Sequence, residues 1–153
     1  MTLAEFAIEC EKAALTVMEQ TLFLQKAVAG TILKELLITT PVDTGRARAN
    51  WQTTSLEASD SDKYPKPEFP SSPEAGVEEA KQMFRDEMND HTGGSIHITN
   101  NVPYIDPLNR GTSSQAPAGF IERAVQAAEI YVKEKTKFNP FDPEVKVRWE
   151  TID

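Results

Sequence analysis

Two histidines, His91 and His97, a single cysteine, Cys10, and the acids Asp86, Glu87 and Asp90 are the side chains with which this chain could hold a metal or move a proton. Zinc takes histidine and cysteine ligands at short, recognisable spacings, and these donors fall into none. A hard cation needs converging carboxylates, but acids this dense in a helical stretch ordinarily make a solvated face. His91 stands before the Gly93-Gly94 pair, and His97 is set opposite Ile96 and Ile98 in an alternating run. Solvent or a protein surface is the expected neighbour of each ring. The chain has no GxSxG elbow, no Walker loop and no GxGxxG following a strand. The expectation is a protein without catalytic residues, metal or cofactor. A nuclease with a carboxylate metal site is the weakest alternative, because its ligands are not grouped.

Two other segments have a more definite chemistry, that of stiff corners. In Thr40-Pro41-Val42-Asp43-Thr44-Gly45-Arg46-Ala47-Arg48, Asp43 can accept from the backbone two residues on, and Gly45 can take a positive φ, so the turn aims the residues beyond it. In Asn100-Asn101-Val102-Pro103-Tyr104-Ile105, Pro103 restricts the backbone and Tyr104 offers an apolar ring with a polar tip. This segment continues through Leu108 to Gly111-Thr112-Ser113-Ser114-Gln115-Ala116-Pro117-Ala118-Gly119-Phe120, where Pro117 restricts the chain again.

The elements carrying these corners can be placed by periodicity. From Thr2 to about Leu37, Leu3, Phe6, Ala7, Cys10, Ala14, Val17, Leu24, Val28, Ile32 and Leu36 recur mostly three or four apart, which predicts a long amphipathic helix. Thr2 and Glu5 form a capping box, Thr39-Thr40-Pro41 ends the run, and Gly30 allows a bend or a close contact. A core helix is the plain expectation, with packing between subunits as the alternative. Arg46 to Leu56 alternates and predicts a strand, although Arg and Ala at its start would also suit a helical turn. As a strand, it would point Arg46 and Arg48 to one side.

Residues 57–73 hold Pro65, Pro67, Pro70 and Pro73 among polar residues and predict an exposed loop. Glu74 to Met88 predicts a short amphipathic helix, Ser95 to Thr99 a second short strand, and Phe120 to Phe138 another helix whose lysines collect near its end. In residues 139–153, Val145, Val147 and Trp149 alternate with charged residues as a terminal strand or arm, to be paired within the sheet or on another protein. The fold class is α+β in a single domain over residues 1–153: a small, mainly antiparallel sheet against a long N-terminal helix and a second C-terminal helix.

With 24 acidic against 16 basic residues the formal charge is −8, which disfavours adhesion to phosphate backbones. Cys10, alone and set among apolar positions, predicts a small buried thiol in a reducing compartment. No apolar run approaches the roughly 20 residues that span a bilayer, and the acidic start is unlike a secretory signal, so neither export nor membrane insertion is expected.

In three ordered pieces, Pro41 to Trp51, Asn100 to Tyr104 and Gly111 to Phe120, the chain resembles the tailed-bacteriophage minor tail, tail completion and neck proteins, including the lambda Z-like tail completion group. The resemblance runs from about Ala4 to Val132. Asn109-Arg110 departs from the acidic and aromatic pair of many relatives, and the proline-rich segment and terminal arm have no counterpart.

It implies a structural virion subunit, made in the host bacterial cytoplasm and built into a ring, hexameric by tail symmetry, at the head-tail junction or the top of the tail. Its partners would be copies of itself and adjacent neck and tail proteins, with DNA passing an electronegative lumen without adhering. A tail terminator that stops tube growth is the near alternative, and an intracellular adaptor unrelated to virions the distant one. The residues expected to fix corners and interfaces are Asp43, Gly45, Arg46, Arg48, Trp51, Tyr104, Gln115 and Pro117. Core support is the equal alternative for Trp51 and Tyr104, and pairing inside the subunit for the two arginines.

Overall fold

The Thr2 hydroxyl accepts the Glu5 N–H at 3.2 Å while the Glu5 carboxylate accepts the Thr2 N–H at 2.6 Å, so the predicted capping box opens the first helix. The computed structural model describes residues 1–42, 45–61, 63, 70–114 and 118–135. Helix α1 runs Leu3–Thr39 and stops where Thr40 turns extended ahead of Pro41. At 37 residues it is about 55 Å long.

Only its C-terminal half is a core helix. Ala27, Ala29, Gly30, Leu33, Leu36 and Leu37 are buried, whereas residues 1–19 are all exposed. The expectation of one continuous core face is thereby corrected, and with it the buried thiol: Cys10 is exposed. The periodicity was that of a helix with an apolar face, and periodicity does not say how far along that face the rest of the chain extends.

The second correction concerns residues 46–56. They divide into a helical turn, α2 (Arg46–Ala49), and a short strand, β1 (Gln52–Ser55). Gly45 at φ +84° starts the turn, Ala49 and Asn50 donate back to the Gly45 and Arg46 carbonyls, and the helix preference of Arg-Ala-Arg-Ala prevails over the alternation. Arg46 and Arg48 therefore do not share a strand face.

Helix α3 (Pro73–Asp90) begins inside the end of the expected loop. Ser72 accepts the Ala75 N–H at 3.0 Å, and Pro73 occupies the first turn, where its missing N–H costs nothing. Before it, Glu57, Ala58, Asp60, Ser61 and Ser71 are exposed, while Pro70 is buried. Strand β2 (Ile96–Thr99) pairs antiparallel with β1 in the register Gln52↔Thr99, Thr53↔Ile98, Thr54↔His97 and Ser55↔Ile96. A short helix, α4 (Ile105–Asn109), lies in a stretch read as loop, and α5 (Phe120–Lys135) packs along α1.

The core forms where these pieces meet: Leu33, Leu36 and Leu37 of α1, Trp51, Ala80 of α3, and Phe120 and Ala124 of α5. Ile98 of β2 and Ile105 and Leu108 of α4 close its edges. The α+β architecture, with two long helices packed together and a two-stranded antiparallel sheet, is as expected from the sequence. The arm at 139–153 lies outside the described residues.

Candidate functional site: two joined corners and an open groove

The segments singled out as corners meet each other. Asn100 donates from its amide to the Ala47 carbonyl at 2.7 Å, and its own Oδ1 accepts the Val102 N–H at 3.2 Å, shaping the turn that carries Tyr104. The Arg46 guanidinium lies 5.6 Å from the Tyr104 ring centroid, a cation–π distance, with Arg46 buried and Tyr104 half-buried. Asn101 donates to the Ser59 and Ser61 carbonyls at 2.8 and 3.1 Å, and Gln52 donates to Ser61 at 2.7 Å. The start of the proline-rich segment is thereby tied to the sheet.

Arg48 turns the other way, onto the end of α1. Its Nε and Nη2 donate to the Thr40 carbonyl at 3.1 and 2.7 Å, and Nη2 also reaches the Ile38 carbonyl at 3.1 Å. A cation on the unsatisfied carbonyls of a helix C-terminus is favoured by their partial negative charge. Partial burial pushes the Arg48 pKa down, and the nearby Glu74 carboxylate opposes that shift. Trp51 is buried, and its indole N–H donates to the Thr40 hydroxyl at 2.8 Å, which in turn donates to the Leu36 carbonyl at 2.6 Å.

Gly45, Arg46, Arg48, Trp51 and Tyr104 are thus brought together around the end of α1 and the turn at Asn100. Asp43, Gln115 and Pro117 lie outside the described residues. The third motif reaches the same core through Phe120, which is fully buried. Asn109 holds the start of α5: its backbone carbonyl accepts the Gly119 N–H at 2.7 Å and its Oδ1 accepts the Ile121 N–H at 2.9 Å. Its amide donates to both Glu122 oxygens at 3.0 and 2.9 Å. Asn109 thus caps α5 from outside the helix, its oxygen taking an early N–H and its amide the Glu122 carboxylate, and the bond from its amide holds the Glu122 carboxyl below the usual glutamate range.

One constellation was not legible from spacing. His91, 3% exposed at the end of α3, has Nδ1 2.9 Å from the Ser55 hydroxyl and Nε2 2.9 Å from Gln25 Oε1. Gln25 donates its amide N–H to the Gly94 carbonyl at 2.5 Å, so its oxygen faces the ring. Nε2 is then the donor to Gln25, and Nδ1 shares the other hydrogen bond with the Ser55 hydroxyl. A hydroxyl hydrogen-bonded to imidazole is the pairing of nucleophile and base, but here the orienting group is a neutral amide and the ring is enclosed. The chain of bonds fastens α1, α3, β1 and the glycine turn to one another. The expectation that His91 would face solvent or an interface is corrected. His97 is half-buried, with Nε2 3.2 Å from the Leu56 carbonyl.

Among the described residues two open surfaces stand out. Along the exposed start of α1, Leu3 is 89% and Met18 67% accessible, and Phe6, Ile8, Leu15 and Val17 are each more than half so. Between the C-terminal half of α1 and α3 lies a groove of about 610 Å³, with Leu33, Leu37, Val77 and Phe84 among its apolar lining. Lys34, Arg48, Lys81 and Arg85 stand around it with Glu74 and Glu78, giving it a basic balance on an acidic chain. Among the described residues no group of three or more histidine, cysteine or acidic side chains gathers as metal ligands, and no helix is long and apolar enough to cross a membrane. Comparison of the chain with protein-family models, curated proteins and solved structures finds no match.

Proposed function

We propose that the protein is a structural subunit of a tailed-bacteriophage particle, a ring component at the head-tail junction or top of the tail that acts by assembly and makes or breaks no covalent bond. The observation that carries the reading is the exposed apolar half of α1. Large apolar surfaces on soluble chains mark sites of association, and this one extends beyond the packed core. The three motif pieces that resemble the tail completion and neck proteins support the reading, since their described residues join through Asn100 to Ala47, Arg46 to Tyr104, and Trp51 and Phe120 in one core.

The acidic balance of the chain suits a channel through which DNA slides. Copies of this chain and neighbouring neck and tail proteins are the partners. The same exposed helix would also serve an intracellular adaptor, and the two are separated by location. Mass spectrometry of purified virions should detect the chain, and particles from a deletion mutant should show heads and tails that fail to join. Tails of uncontrolled length in that mutant would instead assign it to tube termination. Virions that lack the chain would overturn the assembly reading.

A further inference from the structure

We infer that the groove between α1 and α3 receives the exposed N-terminal segment of α1 from a second copy of the chain, so that each copy gives one helix and accepts another. The inference deepens the assembly reading and rests on it for its biological setting.

Connectivity, charge and length identify the occupant. The exposed segment and the α1 wall of the groove belong to opposite ends of the same unbroken helix, Leu3–Thr39, so a molecule cannot lay its own segment in its own groove. The segment carries Glu5, Glu9, Glu11 and Glu19 against Lys12, whereas the groove sets four cations against two carboxylates. Two such segments pairing with each other would bring acid against acid, but a segment in the groove brings opposite charges together.

On a helical wheel Ile8, Glu11, Leu15, Met18 and Glu19 share one strip about 100° wide, three apolar side chains with Glu11 among them and Glu19 at its edge. From Ile8 to Glu19 is about 16 Å of helix, and the α3 wall from Pro73 to Arg85 about 18 Å, so the lengths match. An amphipathic helix lying in an apolar groove is a recurring mode of recognition. Because donor and acceptor surfaces differ, the contact is head-to-tail, and it generates a ring when the rotation closes.

The test is charge exchange between copies of the full chain. Glu11→Lys with Glu19→Lys reverses the helix, and Lys81→Glu with Arg85→Glu reverses the groove wall. All four side chains are exposed, and the one ion pair lost, Lys81 to Glu78 at 3.1 Å, is a surface pair of small worth, so circular dichroism should stay at the wild-type value and melting close to it. In sedimentation velocity the wild type should self-associate, and each variant alone should associate at least about tenfold more weakly. An equimolar mixture of the two variants should recover association, since the wild-type groove of one meets the wild-type helix of the other and the two reversed surfaces match.

A groove variant that associates like wild type overturns the docking, as does a mixture without recovery or a wild type that stays monomeric. None of these results touches the detection of the chain in virions, which decides the assembly reading separately.

Discussion

The Trp51 indole reaches back to Thr40 and donates to its hydroxyl at 2.8 Å, closing the corner between the end of α1 and strand β1. Both residues are buried, and Thr40 passes the bond on to the Leu36 carbonyl at 2.6 Å. Thr40→Val would leave the indole N–H without its acceptor at nearly the same volume, and should cost about 1–3 kcal/mol. Trp51→Phe should cost a similar amount through the lost bond and a small void. The double variant should cost less than the sum of the two, and urea denaturation of the four proteins in a cycle measures the difference. Strict additivity would mean that the bond contributes nothing.

Arg48 is expected to act mainly within its own chain. Its donors serve the last carbonyls of α1, so Arg48→Ala should lower stability by about 1–3 kcal/mol. Arg48→Lys should recover only part of that, because an ammonium keeps the charge and loses the planar fork. Thermal melting of the isolated protein reads the effect without any partner. Arg48→Glu that folds and assembles normally would remove Arg48 from both roles.

Gly45 must be glycine for two independent reasons. Its φ of +84° lies in the left-handed region, and an added Cβ would stand 2.9 Å from Pro73 Cα, a backbone atom with little freedom to yield. Gly45→Ala should therefore destabilise by more than the roughly 1 kcal/mol of the backbone preference alone. Denaturation midpoints of the variant and wild type check this, and an unchanged midpoint would mean the turn relaxes.

Elements whose logic is local were readable in the sequence. The capping box at Thr2, the positive φ at Gly45, the helix over Glu74 to Met88 and the short strand ending at Thr99 each depend on nearby residues. Contacts that could not be read depend on partners far along the chain. His91 meets Ser55 and Gln25, 36 and 66 residues away, and neither spacing leaves a trace in periodicity. The division of residues 46–56 turned on whether Arg46 to Ala49 would obey helix preference or the alternation, and the left-handed Gly45 settles it by starting a turn. The apolar face of α1 was legible, but where burial ends along it is a property of the packed molecule.

The bond between Asn109 and Glu122 makes the start of α5 sensitive to acid. Asn109 donates to the Glu122 carboxylate and accepts from Ile121, so protonating Glu122 weakens one half of the cap and leaves the other. Because the hydrogen bond from Asn109 holds the folded-state pKa of Glu122 below its unfolded value, the contribution is fully present above the unfolded glutamate range. It is lost as pH falls through the folded value.

Melting temperatures of the wild type and Glu122→Gln should therefore differ at neutral pH and converge in acid, below the usual glutamate range near 4.5. Asn109→Ala removes both halves and should remain about 1 kcal/mol less stable than the wild type even in acid, since the Ile121 N–H loses its acceptor at every pH. A Glu122→Gln difference that is constant from neutral pH into acid would show that the carboxylate charge has no part in holding α5 to α4.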